Sequence, residues 1–179
     1  MMKQLENKIA IVTGGTRGIG FSTVGAFLKE GATVILCGSR PESAEKAVEA
    51  LKAQAPDAKV EGISPKLGDY ESVKTAFDAV AEKYGRIDIL VNNAGMSDAT
   101  PFAEYTPEQF QKVMDLNVNG MFNCTRAVVD HMTKQGSGVI LNTSSMVSIC
   151  GQPSGVGYPT SKFAVNGMTV SLARELGPK

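Results

Sequence analysis

Short apolar runs alternate with longer amphipathic stretches along this chain, and that alternation limits its fold more than any other feature. Lys8–Thr13 reads as a buried strand, Ile19–Lys29 as a helix closed by Gly31, and Thr33–Cys37 as a second strand. Glu42–Gln54 has helical spacing through Ala44, Ala47, Val48 and Leu51, and ends before Pro56. Lys59–Ile63 is a third strand. Tyr70–Tyr84 repeats the helical period through Val73, Ala76, Phe77 and Val80, with Gly85 as its stop. Ile87–Val91 is a fourth strand. Pro107–Lys134 holds one or two helices behind a Thr106 cap and an N1 proline. Gly138–Asn142 is a fifth strand and Gly157–Leu176 a final helix. This order predicts an α/β fold with a doubly wound parallel sheet, helices on both faces, and ligands at the carboxyl ends of the strands.

Bulk properties exclude several functions. The 179 residues suit one domain spanning 1–179. Lys plus Arg and Asp plus Glu are both 18, so no electrostatic footprint points to nucleic acid. No apolar run reaches membrane-spanning length, and Met1–Glu6 lacks the apolar core of a signal peptide. Cys37, Cys124 and Cys150 show no Cys-x-x-Cys spacing and are expected as free thiols in a reducing cytoplasm. His131 is the single histidine, so no histidine-rich metal site is expected.

The sharpest local signal is Thr13-Gly14-Gly15-Thr16-Arg17-Gly18-Ile19-Gly20, between the first strand and the first helix. Glycines there permit a tight turn, bring backbone N–H groups to a phosphate, and let helix and sheet approach at Gly20. The Gly-Lys-Ser/Thr ending of a phosphoryl-transfer loop is missing, which disfavours that chemistry. A glycine-rich turn alone is weak evidence of a nucleotide site; the strand–turn–helix setting strengthens it.

With Asn92-Asn93-Ala94-Gly95 after strand four, Asn117 in a helix, Ser144-Ser145 after strand five and Tyr158-x-x-x-Lys162, the sequence resembles the short-chain dehydrogenases/reductases. Order and spacing agree from Lys8 to the end of the chain. The resemblance implies a Rossmann-like fold, a nicotinamide cofactor, and a small-molecule carbonyl or alcohol substrate. It places Gly14, Thr16, Arg17, Gly18, Ile19 and Gly20 against the cofactor, with Asn93, Ala94 and Gly95 supplying backbone beside it.

An acidic residue at the end of strand two usually holds the adenosine ribose and selects NAD(H). Here the segment is Cys37-Gly38-Ser39-Arg40 and carries no acid. Ser39, Arg40 and especially Arg17 suit a 2′-phosphate, which favours NADP(H) over a still possible NAD(H). The family commonly has an aspartate after strand three for the adenine; Lys66 stands there, leaving Leu67 for apolar and backbone contact.

Tyr158 and Lys162 are four apart, hence on one helix face. A tyrosine with a pKa near 10 is a poor acid–base group at neutral pH, and a neighbouring ammonium lowers it. By resemblance, Tyr158 transfers the substrate proton while Lys162 supports it and holds the nicotinamide ribose. Ser145 lies 13 residues before Tyr158, the family spacing, and would polarise the substrate oxygen; Ser144 is its neighbour. Asn117 matches the asparagine that supports the lysine through a water-mediated relay. Each of these motifs is common by chance; their joint order is not.

Two substrate classes compete. General resemblance favours 3-oxoacyl thioesters on a carrier protein. Thr13–Phe21 and Gly155-Val156-Gly157-Tyr158-Pro159 look more like bacterial bile-acid hydroxysteroid dehydrogenases. A third reading is a cofactor-binding sensor or scaffold without turnover. Full-length family members continue through strands six and seven and form tetramers or dimers, so this sheet is expected to lack carboxyl-terminal strands.

Overall fold

The computed structural model describes residues 3–179. Five parallel strands form one sheet: β1 (Ile9–Thr13), β2 (Thr33–Cys37), β3 (Val60–Ile63), β4 (Ile89–Asn92) and β5 (Val139–Asn142). They lie in the order β3-β2-β1-β4-β5. In β1 (IAIVT) every residue is buried, as a central parallel strand requires. The period of two divides it between two cores. Ile9 and Ile11 join Ile35, Phe77, Ile87, Leu90 and Val128 on one face. Ala10 and Val12 join Val24, Val34, Leu36, Leu51 and Val91 on the other.

Helices α1 (Gly18–Lys29) and α2 (Pro41–Gln54) bring Val24, Ala44, Ala47 and Leu51 to the second core. The first receives Val73, Phe77 and Val80 of α3 (Tyr70–Tyr84), and Cys124, Ala127 and Val128 of α5 (Gly120–Gln135). Asp69 caps α3 by accepting N–H bonds from Glu71 and Ser72, and Gly85 ends it at φ 74°. Connections run outward from β1 through β2 to β3, then return to β4 on the far side of β1. The carboxyl ends of β1 and β4 therefore flank the crevice where the winding reverses.

Four local features differ from or add to the sequence expectation. Strand pairing in β4 begins at Ile89 rather than Ile87, because the Gln135 side chain takes both the N–H and the carbonyl of Ile87, at 3.0 and 2.9 Å. The Pro107–Lys134 stretch is α4 (Pro107–Met114) followed by α5, joined by a π-helical turn at Asp115–Asn119. A short helix, α6 (Val147–Cys150), precedes α7 (Gly157–Leu176), and a 3-10 turn occupies Phe102–Glu104. β5 forms the sheet edge, with Val139 and Leu141 half-exposed.

Candidate active site

The glycine loop leaves β1 with Gly14 at φ +65° and enters α1 with Gly18 at φ +55°. A Cβ on Gly20 would overlap the Gly14 carbonyl, and one on Gly14 would fall 2.9 Å from Ala94 Cα. Both positions therefore need glycine for a close approach between loop, helix and β4. Space opens instead beyond Gly18, where an added Cβ meets nothing, and Ile19 is largely exposed. Arg17 at the helix N-cap supplies no side-chain cap, and the first turn of α1 carries no acid. Its backbone donors are left for an anion. Thr16 packs against Gly38 at the end of β2.

The Thr13 hydroxyl holds the other wall. It accepts N–H bonds from Asn93 and Ala94, each at 3.0 Å, and donates to the Val91 carbonyl. The Asn93 amide donates back to the Thr13 and Gly14 carbonyls at 3.1 and 3.3 Å. Ser39 and Arg40 are exposed at the end of β2. Neither Arg17 nor Arg40 has a carboxylate partner among the described residues. Lys66 is exposed, and Leu67 is half-buried with its carbonyl accepting from Asn123 at 2.8 Å. These open glycine and N–H surfaces fit the pyrophosphate of a dinucleotide.

Lys162 is buried at 5% exposure, yet its Nζ donates to the Thr143 carbonyl at 2.7 Å and lies 5.6 Å from the Tyr158 ring centroid. Burial holds its ammonium below the usual lysine range. Asn117 sits in the π-helical turn, 2% exposed. Its amide donates to the Met96 carbonyl and the Ser161 hydroxyl, at 2.8 and 2.9 Å, and its carbonyl accepts from the Met96 N–H at 2.8 Å. The Asn117 side chain thus spans the loop after β4 and the first turns of α7. Gly95 closes the set: a Cβ there would fall 3.2 Å from Asn117 Oδ1 and 3.9 Å from Lys162 Nζ.

The two serines differ. Ser144 donates to Asn166 Oδ1 at 2.6 Å. Ser145 accepts only a long 3.4 Å N–H bond from Val147 at its hydroxyl, which leaves that hydroxyl free to donate. Its carbonyl accepts from Ser148 at 2.6 Å, which ties the turn to α6.

Gly95 thus lies between Asn117 and Lys162, with Tyr158 beside Lys162. Ser145 follows β5, and Gly14–Gly20 with Asn93 and Ala94 lie beyond the carboxyl ends of β1 and β4. Sequence reasoning missed the bridging role of Ser161, the Thr143 carbonyl and the Thr13 hydroxyl. Backbone acceptors leave no sequence signal, while Thr13 was legible as the first letter of the glycine motif. A separate groove of about 290 Å³ between α5, β5 and α7 contains none of the predicted site residues.

The sequence matches the family described as short chain dehydrogenase over residues 8–179. It is 59% identical over 177 residues to a 3alpha-hydroxysteroid dehydrogenase of Mediterraneibacter gnavus, covering 99% of this chain and 71% of the relative. It is 39% identical over 173 residues to a 3-oxoacyl-[acyl-carrier-protein] reductase of Thermotoga maritima, covering 97% and 70%. Among solved structures, NAD+-bound xylitol dehydrogenase superposes with a TM-score of 0.93 at 32% identity, covering 98% of this chain and 67% of that one. Levodione reductase superposes with a TM-score of 0.92 at 33% identity, covering 97% and 68%.

Proposed function

Because this chain belongs to the short-chain dehydrogenase family and is an oxidoreductase, we propose that it interconverts a hydroxysteroid and its ketone using NADP(H). The observation that carries the reaction is the Lys162 ammonium, buried beside the Tyr158 ring and anchored on the Thr143 carbonyl. The nicotinamide accepts or supplies the hydride when bound. Tyr158 passes the proton to or from the substrate oxygen, with the Lys162 ammonium 5.6 Å from its ring centroid. Ser145 donates a hydrogen bond to that oxygen and so stabilises developing negative charge. Asn117 holds the loop carrying Gly95 against α7. Unpaired Arg17 and Arg40 beside an acid-free β2 end support a 2′-phosphate.

The 59% identity to a 3alpha-hydroxysteroid dehydrogenase favours the steroid. The second reading, reduction of a 3-oxoacyl thioester, rests on relatives near 39% identity. We place the protein in the cytoplasm as a dimer or tetramer in which residues 1–179 form one domain. Steady-state NADPH oxidation with a 3-oxo bile acid and with an acetoacetyl thioester tests the reading. Faster turnover of the steroid is expected. Faster turnover of the thioester selects the second reading, and tight NADPH binding without turnover of either favours a sensor or scaffold.

A further inference from the structure

Two loops meet beside the start of α7, and the residues that join them have no part in the chemistry above. The Tyr105 hydroxyl donates to Asp98 Oδ2 at 2.8 Å. A Cβ on Gly157, the residue before Tyr158, would overlap that hydroxyl and fall 3.5 Å from Asp98 Oδ2. Gly155 is at φ +80°, and a Cβ there would overlap the backbone carbonyl and Oδ1 of Asp98. The Gln152 amide donates to the Asp98 carbonyl at 3.0 Å, and the Gly155 N–H donates to the Thr100 carbonyl at 2.9 Å. Both glycines thus make room for the Asp98–Tyr105 pair. Asp98 Oδ1 is buried with no hydrogen-bond partner among the described residues.

We propose that Asp98 and Tyr105 are positioning residues that clamp the first turn of α7 and thereby fix where Tyr158 stands relative to the loop after β4. This inference rests on the oxidoreductase reading of Tyr158. The α7 N-cap, Val156, makes no side-chain capping bond, and Thr160 secures only the Val156 carbonyl, which leaves the first N–H groups of the helix uncapped by its own side chains. The clamp comes from the loop after β4, the same loop whose Gly95 lies against Asn117 and Lys162. Tyrosine and cofactor wall are therefore held by one segment. Loss of the clamp lets the turn carrying Tyr158 shift against the Gly95 loop, while the helix keeps Tyr158 and Lys162 together.

The test compares Tyr105→Phe, Asp98→Ala and Asp98→Asn in purified protein by steady-state kinetics, with melting temperatures alongside. Tyr105→Phe and Asp98→Ala are expected to lower kcat about tenfold while the KM for NADP(H) stays within about twofold, because misplacement penalises the transition state and not cofactor binding. Asp98→Asn keeps an oxygen for Tyr105 and should recover most of the rate lost in Asp98→Ala. Folded variants with wild-type kcat overturn the clamp alone. A loss of kcat matched by an equal loss of cofactor affinity, or one without Asn rescue, also overturns it, as plain destabilisation. If Tyr105→Phe fails to fold, the Asp98 pair decides by the same criteria. Absence of turnover in the unaltered protein overturns the oxidoreductase reading and the clamp with it.

Discussion

Thr13 and Asn93 grip each other reciprocally: the Thr13 hydroxyl accepts the Asn93 N–H at 3.0 Å, and the Asn93 amide donates to the Thr13 carbonyl at 3.1 Å. The pair locks the carboxyl ends of β1 and β4 across the crevice. Thr13→Val keeps the shape but strands the N–H groups of Asn93 and Ala94. An orphaned buried donor costs about 1–3 kcal/mol, so Tm should fall and NADP(H) affinity should weaken. Fluorescence titration of NADPH with a thermal melt checks both; unchanged values would remove Thr13 from this role.

Arg17→Ala combined with Arg40→Ala should weaken NADPH far more than NADH. Each charge-assisted contact to phosphate is worth about 1.5–3 kcal/mol, tenfold or more in Kd. Both side chains lie exposed at the loop and the β2 end, so fold stability should hardly change. Equal losses for the two cofactors would refute the 2′-phosphate assignment.

Tyr158→Phe should abolish turnover and leave cofactor affinity nearly intact. Lys162→Met should cut turnover nearly as sharply, because the ammonium beside the Tyr158 ring is lost. Burial holds the Lys162 pKa below the usual lysine range. In the unaltered protein the ammonium is therefore lost at a lower pH than in a free lysine, and activity should decline on the alkaline side earlier. A pH–rate profile of kcat tests this alkaline limb.

Asp88 supplies a stability prediction. Burial pushes its carboxyl pKa up, but the Arg86 hydrogen bonds, the Ile9 N–H and the Lys8 charge outweigh this and leave it lowered. A lowered folded pKa means that its stabilisation is present at neutral pH and is lost as pH falls below about 4. Asp88 Oδ2 accepts the Ile9 N–H at 2.9 Å, which pins the start of β1 to β4. Asp88→Asn should cost about 2 kcal/mol at pH 7 and flatten the acid side of the stability curve. Urea melts from pH 7 to 2.5 measure it; an unchanged acid slope would exclude Asp88 as a source.

The strands, α3 and α7 were legible because their hydrophobic periods and stops agree: Asp69 and Gly85 bound α3 as a cap and a left-handed stop should. The Gly14–Gly20 loop and the Tyr158–Lys162 spacing were legible for the same reason, as local chemistry at fixed offsets. What stayed hidden depends on long-range contact. The Asn117–Ser161 bond joins residues 44 apart, and the Gln135 side chain that displaces the start of β4 lies 48 residues from Ile87. The preference for Ser145 over Ser144 rests on spacing alone; that Ser144 donates to Asn166, 22 residues away, has no sequence signal.

The π-helical turn at Asp115–Asn119 also has a genetic consequence. A wide turn, closed by the Gly120 N–H on the Asp115 carbonyl, carries one residue more than an α-helical turn would. Removing one residue there restores an ordinary hydrogen-bond ladder, and local helix propensity would hardly oppose the deletion. Because the wide turn absorbs its extra residue, α5 would keep its phase to α4, and Cys124 and Val128 would stay in the core. What the deletion would remove is the local seat of Asn117, and with it the bonds to Met96 and Ser161. The spare residue of this stretch is one that the fold could lose and the site could not.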